Sequence, residues 1–87
     1  MSIQQLFSLQ DQVAIITGAG KGLGRAIALI FAEAGANVVC AARTKSDLDE
    51  TCRLAKKFGV KAIAVQCNVV DDKALQNLVD VTVGEFN

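Results

Sequence analysis

Apolar and polar residues occur along the chain in two kinds of block that alternate with each other. Three short blocks are almost wholly apolar and rich in β-branched residues: Gln12–Ile16, Asn37–Ala42 and Lys61–Gln66. Such near-continuous apolarity is typical of strands that are covered on both faces. The pattern therefore predicts three strands of a parallel sheet.

The blocks that follow these runs repeat apolar residues every three or four positions, which is the spacing of helices. The first block has one apolar stripe, made of Leu23, Ala26, Ile27, Ile30 and Ala34. The stripe stops at Gly35, and glycine is the residue that most often ends a helix. We therefore predict an amphipathic helix with this stripe as its apolar face.

Two further helices are predicted. In the second, Ser46 and Asp49 resemble a capping box with Asp in place of Glu, and Gly59 ends the helix. Its apolar face is predicted to comprise Leu48, Cys52, Ala55 and Phe58. The third helix is predicted to begin at Asp71 or Asp72 and to reach Asn87. One side of it carries Leu75, Leu78, Val79, Thr82 and Phe86.

The order of these elements is β-α-β-α-β-α, and right-handed crossovers place the strands in the order 3-2-1. This is an α/β fold, half of a doubly wound Rossmann-type fold. The first two helices are expected to cover one face of the sheet. The third is expected to start a crossover toward a fourth strand beside strand 1, and the sequence ends before that strand.

Size and charge narrow the functional classes. With 87 residues the chain forms at most one small domain. Nine basic and nine acidic residues leave no net charge, so we expect neither nucleic acid nor a membrane as a partner. The apolar runs are far shorter than a membrane span, and the N-terminal segment lacks the features of a signal peptide. These features predict a cytoplasmic protein.

Missing and scarce residue types limit the chemistry further. The sequence contains no His, Tyr or Trp, which removes His acid/base chemistry, the commonest metal ligand and any tyrosine proton donor. Cys40, Cys52 and Cys67 show neither a C-x-x-C pair nor zinc-finger spacing. We therefore predict three reduced, buried thiols and no metal site.

The stretch with the clearest chemistry is TGAGKGLG, residues 17–24, between the first strand and the first helix. A glycine-rich turn that leads into a helix presents backbone N–H groups and a partial positive charge to a phosphate. It is not a P-loop, because Lys21 is followed by Gly22 rather than by Ser or Thr. Its spacing is T-G-x-x-x-G-x-G rather than G-x-G-x-x-G, because Leu23 occupies the sixth place counted from Gly18.

Together with the strand before it and AGANVVCAAR after it, this loop resembles the N-terminal segment of the short-chain dehydrogenase/reductase family. The resemblance runs through residues 1–87 and implies that they are the N-terminal part of a single dinucleotide-binding domain. It also implies cofactor contacts from Gly18, Lys21, Gly22, Leu23 and Gly24. Extended-type sugar-nucleotide epimerases are less similar, because their glycine spacing resembles T-G-x-x-G-x-x-G.

The end of the second strand bears on which nucleotide is bound. NAD-binding members of the family carry an acid here that bonds the ribose hydroxyls, whereas an arginine accommodates the 2′-phosphate of NADP. This sequence has Ala42 where the acid would lie, followed by Arg43, and Lys21 offers a second charge. The resemblance therefore implies NADP (NADPH), with NAD disfavoured; the alternative is that both cations are merely solvated. Thr44 is either a further phosphate ligand or a residue that starts a helix.

The end of the third strand differs from the usual family pattern. The family commonly has an aspartate and then an apolar residue beside the adenine, and this chain has Asn68 and Val69. The side-chain carbonyl oxygen of Asn68 can still accept a hydrogen bond from the adenine amino group, but it lacks the negative charge of an aspartate. The alternative is that Asn68 only forms a turn at the strand end.

The resemblance implies hydride transfer between a nicotinamide and a small-molecule carbonyl or alcohol. The family's Tyr-x-x-x-Lys motif and its substrate-orienting Ser belong to later sequence, and Ser2, Ser8 and Ser46 lie in the wrong places to substitute. We therefore predict no catalytic residue among residues 1–87, and these residues do not identify the substrate.

Two hypotheses remain. The first is the N-terminal fragment of an NADP-dependent oxidoreductase, which is a homo-oligomer when complete. The second is a non-catalytic nucleotide-binding or interaction module with a half-Rossmann fold. We favour the first, because a free-standing half fold would leave strand 1 as an apolar edge and one sheet face half bare.

Overall fold

Three strands alternate with three helices in the part of the chain that the structure describes. The structure is a computed structural model that describes residues 11–86. The elements are β1 (Val13–Thr17), α1 (Gly22–Glu33), β2 (Asn37–Ala42), α2 (Lys45–Lys56), β3 (Ala62–Gln66) and α3 (Asp72–Phe86). This confirms the predicted order, with the bounds of β2 reproduced, both bounds of β1 shifted by one residue and β3 beginning one residue later than predicted. The expected helix end at Asn87 lies outside the described residues.

The strands form one parallel sheet in the order β1-β2-β3, which confirms the predicted half of a Rossmann-type fold. Val13 lies opposite Asn37, and Val38 lies opposite Ala62. Because all three strands run in the same direction, their carboxyl ends meet at one edge of the sheet. In open sheets of this kind, ligands bind at that edge.

One face of the sheet is covered by α1 and α2, as predicted. Its core joins the buried residues Ile16, Ala19, Ala28, Ala32, Val38, Cys40, Leu48, Cys52, Ala55 and Ala62. Most of these side chains are small, so the helices lie close to the strands. This close packing holds the loop between β1 and α1 next to the first turn of α2.

The other face is covered only in part. Helix α3 packs over β2 and β3 and buries Val39, Ala41, Val65, Cys67 and Leu78. On β1, by contrast, Val13 and Ile15 remain 39% and 43% exposed. The expected half-bare sheet face is therefore present in the structure.

The predicted apolar face of α1 is largely wrong. Its larger members, Leu23, Ile27 and Ile30, are 78%, 36% and 56% exposed, and only Ala34 of the predicted stripe is buried. The helix contacts the sheet through Ala28 and Ala32 on its opposite side. Small side chains permit close approach to the strands, so residue size rather than hydrophobicity decides which face is buried. The helix is consequently apolar on both sides.

The ends of α2 also differ from expectation. Thr44 is the N-cap, so Ser46 lies inside the helix and forms no capping box with Asp49. Asp49 instead accepts hydrogen bonds from the Lys45 ammonium four residues earlier, at 3.1 and 3.2 Å. Phe58 lies beyond the last helical residue and is 45% exposed, so it does not extend the apolar face.

The start of α3 agrees with the sequence. Asp71 precedes the helix, and its Oδ1 accepts a hydrogen bond from the Lys73 N–H at 2.9 Å. The Asp71 carbonyl also accepts from the N–H of Leu75. On the predicted apolar side, Leu78 is buried, whereas Val79 is 48% exposed.

All three cysteines are free and buried, as predicted. Cys40 on β2 and Cys52 on α2 lie in the same core. A hydrogen bond with the Cys52 thiol, reinforced by burial, raises the pKa of Cys40 well above its usual range. Cys40 therefore stays protonated near neutral pH and is a poor nucleophile.

Candidate dinucleotide site

A pocket of about 350 Å³ opens at the carboxyl edge of the sheet. It is lined by Gly18, Ala42, Arg43, Cys67, Asn68, Val69 and Val70. The structure therefore brings together four of the nine predicted site residues: Gly18, Arg43, Asn68 and Val69. Cys67 and Val70 are lining residues that sequence reasoning did not assign to the site.

The glycine loop between β1 and α1 borders this pocket. Gly18 and Gly22 have positive φ angles of 67° and 61°, which glycine adopts without strain. A Cβ added to either residue would meet no atom within 4 Å. The loop therefore presents bare backbone to open space, which fits a group that must approach the main chain closely.

Gly24 has a different task, which is to let the first turn of α1 touch the loop. A Cβ at this position would lie 1.8 Å from the Gly18 carbonyl oxygen and 3.1 Å from the Ala19 Cα. Both neighbours are backbone atoms that cannot swing aside. Only glycine fits, and its absence of a side chain fixes where the helix begins relative to the loop.

The N-terminus of α1 is chemically suited to an anion. Lys21 is the exposed N-cap and makes no side-chain cap hydrogen bond, and the first turn contains no acidic residue. The partial positive charge of the helix end is therefore not offset by a carboxylate within that turn. The predicted residues Lys21, Gly22, Leu23 and Gly24 lie at this helix start, beside the pocket rather than in its lining.

The residues after β2 form the second edge of the pocket. The Ala42 carbonyl accepts a hydrogen bond from the Cys67 N–H at 2.8 Å, and the Arg43 carbonyl accepts one from Gln66 Nε2 at 2.8 Å. These bonds fix the backbone while the Arg43 side chain stays exposed. Thr44 is at the start of α2, in agreement with one of its two readings, yet its hydroxyl makes no cap hydrogen bond.

Asn68 forms the turn after β3. Its Oδ1 accepts a hydrogen bond from the Val70 N–H at 3.2 Å, and its carbonyl accepts one from the Asp71 N–H at 3.0 Å. The turn reading is therefore present in the structure. The side-chain oxygen retains a second lone pair, so the adenine contact stays a prediction.

Sequence reasoning missed one polar cluster behind the loop. Arg25 and Thr51 meet there, although 26 positions separate them. Two signals were present in the sequence: a cation in the first turn of a helix, where the helix dipole disfavours it, and a Thr within the apolar side of α2. Neither signal identifies the partner, because only the packing of α1 against α2 brings the two side chains together.

Two other kinds of site are absent from the part of the chain that the structure describes. Among residues 11–86, no three His, Cys, Asp or Glu side chains cluster closely enough to hold a metal ion. No helix in the same range has the length and apolar character needed to cross a bilayer.

Comparison with known proteins identifies relatives over nearly the whole chain. The sequence model of the family described as short chain dehydrogenase matches residues 12–87. An uncharacterised oxidoreductase of Mycobacterium tuberculosis is 43% identical over 84 residues, which cover 97% of this chain and 32% of the relative. The chain thus spans about a third of the length of the curated relatives it matches.

Solved structures share the fold. L-Sorbose reductase from Gluconobacter frateurii, in complex with NADPH and L-sorbose, has a TM-score of 0.88 and 36% identity, covering 92% of this chain and 31% of that protein. NAD⁺-bound xylitol dehydrogenase has a TM-score of 0.85 and 30% identity, covering 88% and 30%. One similar structure holds NADPH and the other NAD⁺, so similarity points to a dinucleotide without singling out NADP.

Proposed function

Since the chain belongs to the short-chain dehydrogenase/reductase family, we propose that it is the cofactor-binding N-terminal part of an NADP-dependent oxidoreductase. When bound, the nicotinamide supplies a hydride to a carbonyl or accepts one from an alcohol. The residues of this chain bind the adenosine half of the cofactor and hold its phosphates. None of them is assigned a catalytic role.

The glycine loop is proposed to hold the pyrophosphate. The open space beside Gly18 and Gly22 lets the phosphates approach the backbone, and Gly24 sets the helix N-terminus behind them. Leu23 is 78% exposed at this helix start, where it would pack against the cofactor. Backbone N–H groups recognise phosphate oxygens without regard to the rest of the nucleotide, so the loop binds what NAD and NADP share.

The second edge of the pocket is proposed to distinguish NADP from NAD. The observation that supports this is the uncharged Ala42 followed by the exposed Arg43. A 2′-phosphate placed here meets the Arg43 cation, and the strand end itself carries no carboxylate. The nearby carboxylate is that of Asp47 in the first turn of α2, whose Oδ2 lies 3.8 Å from the position of a Cβ on Gly20. Lys21 adds charge from the loop side, and Thr44 adds a hydroxyl that is not occupied in capping. Within residues 11–86, neither Arg43 nor Lys21 forms an ion pair, so both are free to bind phosphate.

Asn68 and Val69 are proposed to bind the adenine. Both line the pocket after β3, with the Asn68 side chain held by its bond to the Val70 N–H. The apolar Val69 side chain is 48% exposed and offers a surface for the flat base. In this arrangement the adenine lies between the two strand ends, with the ribose directed toward Arg43.

Exposed apolar surface supports a larger enzyme over a free-standing module. The bare part of β1 and the outer side of α1 together expose Val13, Ile15, Ile27 and Ile30. Surfaces of this kind are normally covered by other parts of a protein. We propose that the complete enzyme covers them, is a homo-oligomer and works in the cytoplasm, where the buried thiols of Cys40, Cys52 and Cys67 stay reduced.

The test is turnover by the full-length protein. NADPH and NADH are offered separately with a panel of carbonyl compounds, including L-sorbose because a structural relative was solved with it. We expect a carbonyl-dependent loss of NADPH fluorescence, faster than the loss with NADH. Tight NADPH binding with no turnover on any carbonyl, or on alcohols with NADP⁺, would favour the non-catalytic module instead.

A further inference from the structure

The carbonyl groups of the glycine loop are held from behind by one arginine. Arg25 Nη2 donates to the Gly20 carbonyl at 2.6 Å and to the Asp47 carbonyl at 3.2 Å. Arg25 Nε donates to Thr51 Oγ1 at 2.9 Å. The planar guanidinium therefore joins the loop to the first turn of α2 through a fixed fork of donors, which a lysine could not reproduce.

Thr51 is the second member of this cluster and is fully buried. Its hydroxyl accepts from Arg25 Nε and lies 2.7 Å from the Ala19 carbonyl oxygen, to which it donates. The carbonyls of Gly20 and Asp47 lie farther away, at 3.3 and 3.2 Å. A hydroxyl has one proton, so the Ala19 carbonyl is its main acceptor.

The direction of these carbonyls sets the direction of the neighbouring N–H groups. In a trans peptide the C=O of one residue and the N–H of the next point to opposite sides, and no described peptide bond is cis. Holding the Ala19 and Gly20 carbonyls toward α2 therefore turns the N–H groups of Gly20 and Lys21 away from α2. The Ala19 N–H is fixed separately by the Ala41 carbonyl at 3.2 Å.

The loop depends on this cluster more than α2 does. Helix α2 keeps its geometry through its own backbone hydrogen bonds, and Arg43 and Thr44 precede it on a backbone fixed by β3. The loop has positive φ angles at Gly18 and Gly22 and has no comparable ladder of its own. Loss of the cluster should therefore disturb mainly the pyrophosphate end of the site and spare Arg43 at the 2′-phosphate end.

We propose that Arg25 and Thr51 are positioning residues that orient the glycine-loop N–H groups toward the cofactor pyrophosphate. This inference rests on the proposed dinucleotide function. Neither side chain contacts the cofactor; both act through the Ala19 and Gly20 peptide groups. The cluster is thus a specificity element for ligands that carry a pyrophosphate.

The test compares two ligands by calorimetric titration of the full-length protein: NADPH, and adenosine 2′-monophosphate, which keeps the 2′-phosphate and lacks the pyrophosphate. Arg25→Gln and Thr51→Val should each weaken NADPH binding by about tenfold. Binding of adenosine 2′-monophosphate should weaken much less, because Arg43 stays in place and only the contribution of Lys21 depends on the loop. Thr51→Ser retains the hydroxyl and should restore the affinity for NADPH.

The control is Arg53→Gln, which removes an exposed arginine of α2 whose partner is Glu50, and it should change neither affinity. Equal weakening of the binding of both ligands, or unchanged NADPH affinity in Arg25→Gln and Thr51→Val, would overturn this inference and leave the proposed function standing. If the unaltered protein binds neither ligand, the proposed function fails and this inference fails with it. If either variant does not fold, Arg25→Lys is titrated with the same two ligands. A loss of NADPH affinity that exceeds the loss for adenosine 2′-monophosphate supports the inference, and unchanged NADPH affinity overturns it.

Discussion

The two ends of the candidate site are built in different ways. The glycine loop is defined by backbone contacts, such as the approach of Gly24 to Gly18, and by the buried Thr51 behind it. The other end consists of exposed side chains, Arg43 above all, on the ends of strands. The loop is therefore tied to the folded core, whereas the exposed Arg43 can vary without disturbing it.

This difference separates two tasks in cofactor recognition. A backbone loop recognises the pyrophosphate, which every nicotinamide dinucleotide contains. Exposed side chains recognise the 2′-phosphate, which only some contain. Substitutions in the loop should thus harm stability and all dinucleotide binding together, and substitutions at the end of β2 should mainly change the preference between the two dinucleotides.

The largest effect is expected from Gly24→Ala. The added Cβ would lie 1.8 Å from the Gly18 carbonyl oxygen, so the loop or the helix start must move. We expect destabilisation by about 1–3 kcal/mol, seen in urea unfolding, and loss of both NADPH and NADH binding. Gly84→Ala is the matched control, because its Cβ would meet nothing within 4 Å inside α3, and it should stabilise by about 0.5–1 kcal/mol.

A smaller but more selective effect is expected from Ala42→Asp. The carboxylate would face the 2′-phosphate and repel it, while it could accept hydrogen bonds from the ribose hydroxyls of NADH. NADPH affinity should fall by about tenfold or more and NADH affinity should rise. Some loss of unfolding free energy is expected as well, because Ala42 is partly buried against the core. Ala42→Asn adds the same bulk without charge, and an equal loss of NADPH binding in that variant would show that repulsion is not the cause.

Arg43→Ala should weaken NADPH binding by about tenfold and leave NADH binding unchanged. The Arg43 side chain is exposed, so the part of the affinity that it supplies should also decrease as salt is added. Arg53→Ala, which removes another exposed arginine, on α2, is the control. If NADH binding falls as much as NADPH binding, Arg43 does not distinguish the two cofactors.

The smallest effect is expected from Asn68→Ala, which separates the two roles of this residue. An adenine contact predicts about threefold weaker NADPH binding, and no change for the hypoxanthine analogue that lacks the amino group. A turn role alone predicts lower stability through loss of the Oδ1 bond to the Val70 N–H, with both nucleotides affected equally.

Sequence reasoning succeeded where one local property decides the structure. Continuous apolarity predicts β2 residue for residue, and Gly35 and Gly59 stand at positive φ angles of 102° and 84° just past the helices they were expected to end. It failed for α1, where the stripe with Leu23 is exposed and Ala28 is buried. That outcome depends on how closely the helix approaches the sheet, a property of the assembled fold.

The same limit applies to the site. The glycine spacing predicts the loop, because positive φ and close approach are properties of single residues. Cys67 and Val70 also line the pocket, and they do so because of the geometry of the turn after β3, which the sequence pattern does not specify. The cluster of Arg25 with Thr51 depends on the packing of two helices, and no local pattern pairs residues that far apart.

The most direct test of the account is the ratio of the NADPH and NADH dissociation constants of the unaltered full-length protein, measured by titration at one salt concentration. An uncharged Ala42 beside an exposed Arg43 predicts that NADPH binds at least about tenfold more tightly. NADH binding that is equal or tighter would contradict the assignment of this strand end to the 2′-phosphate.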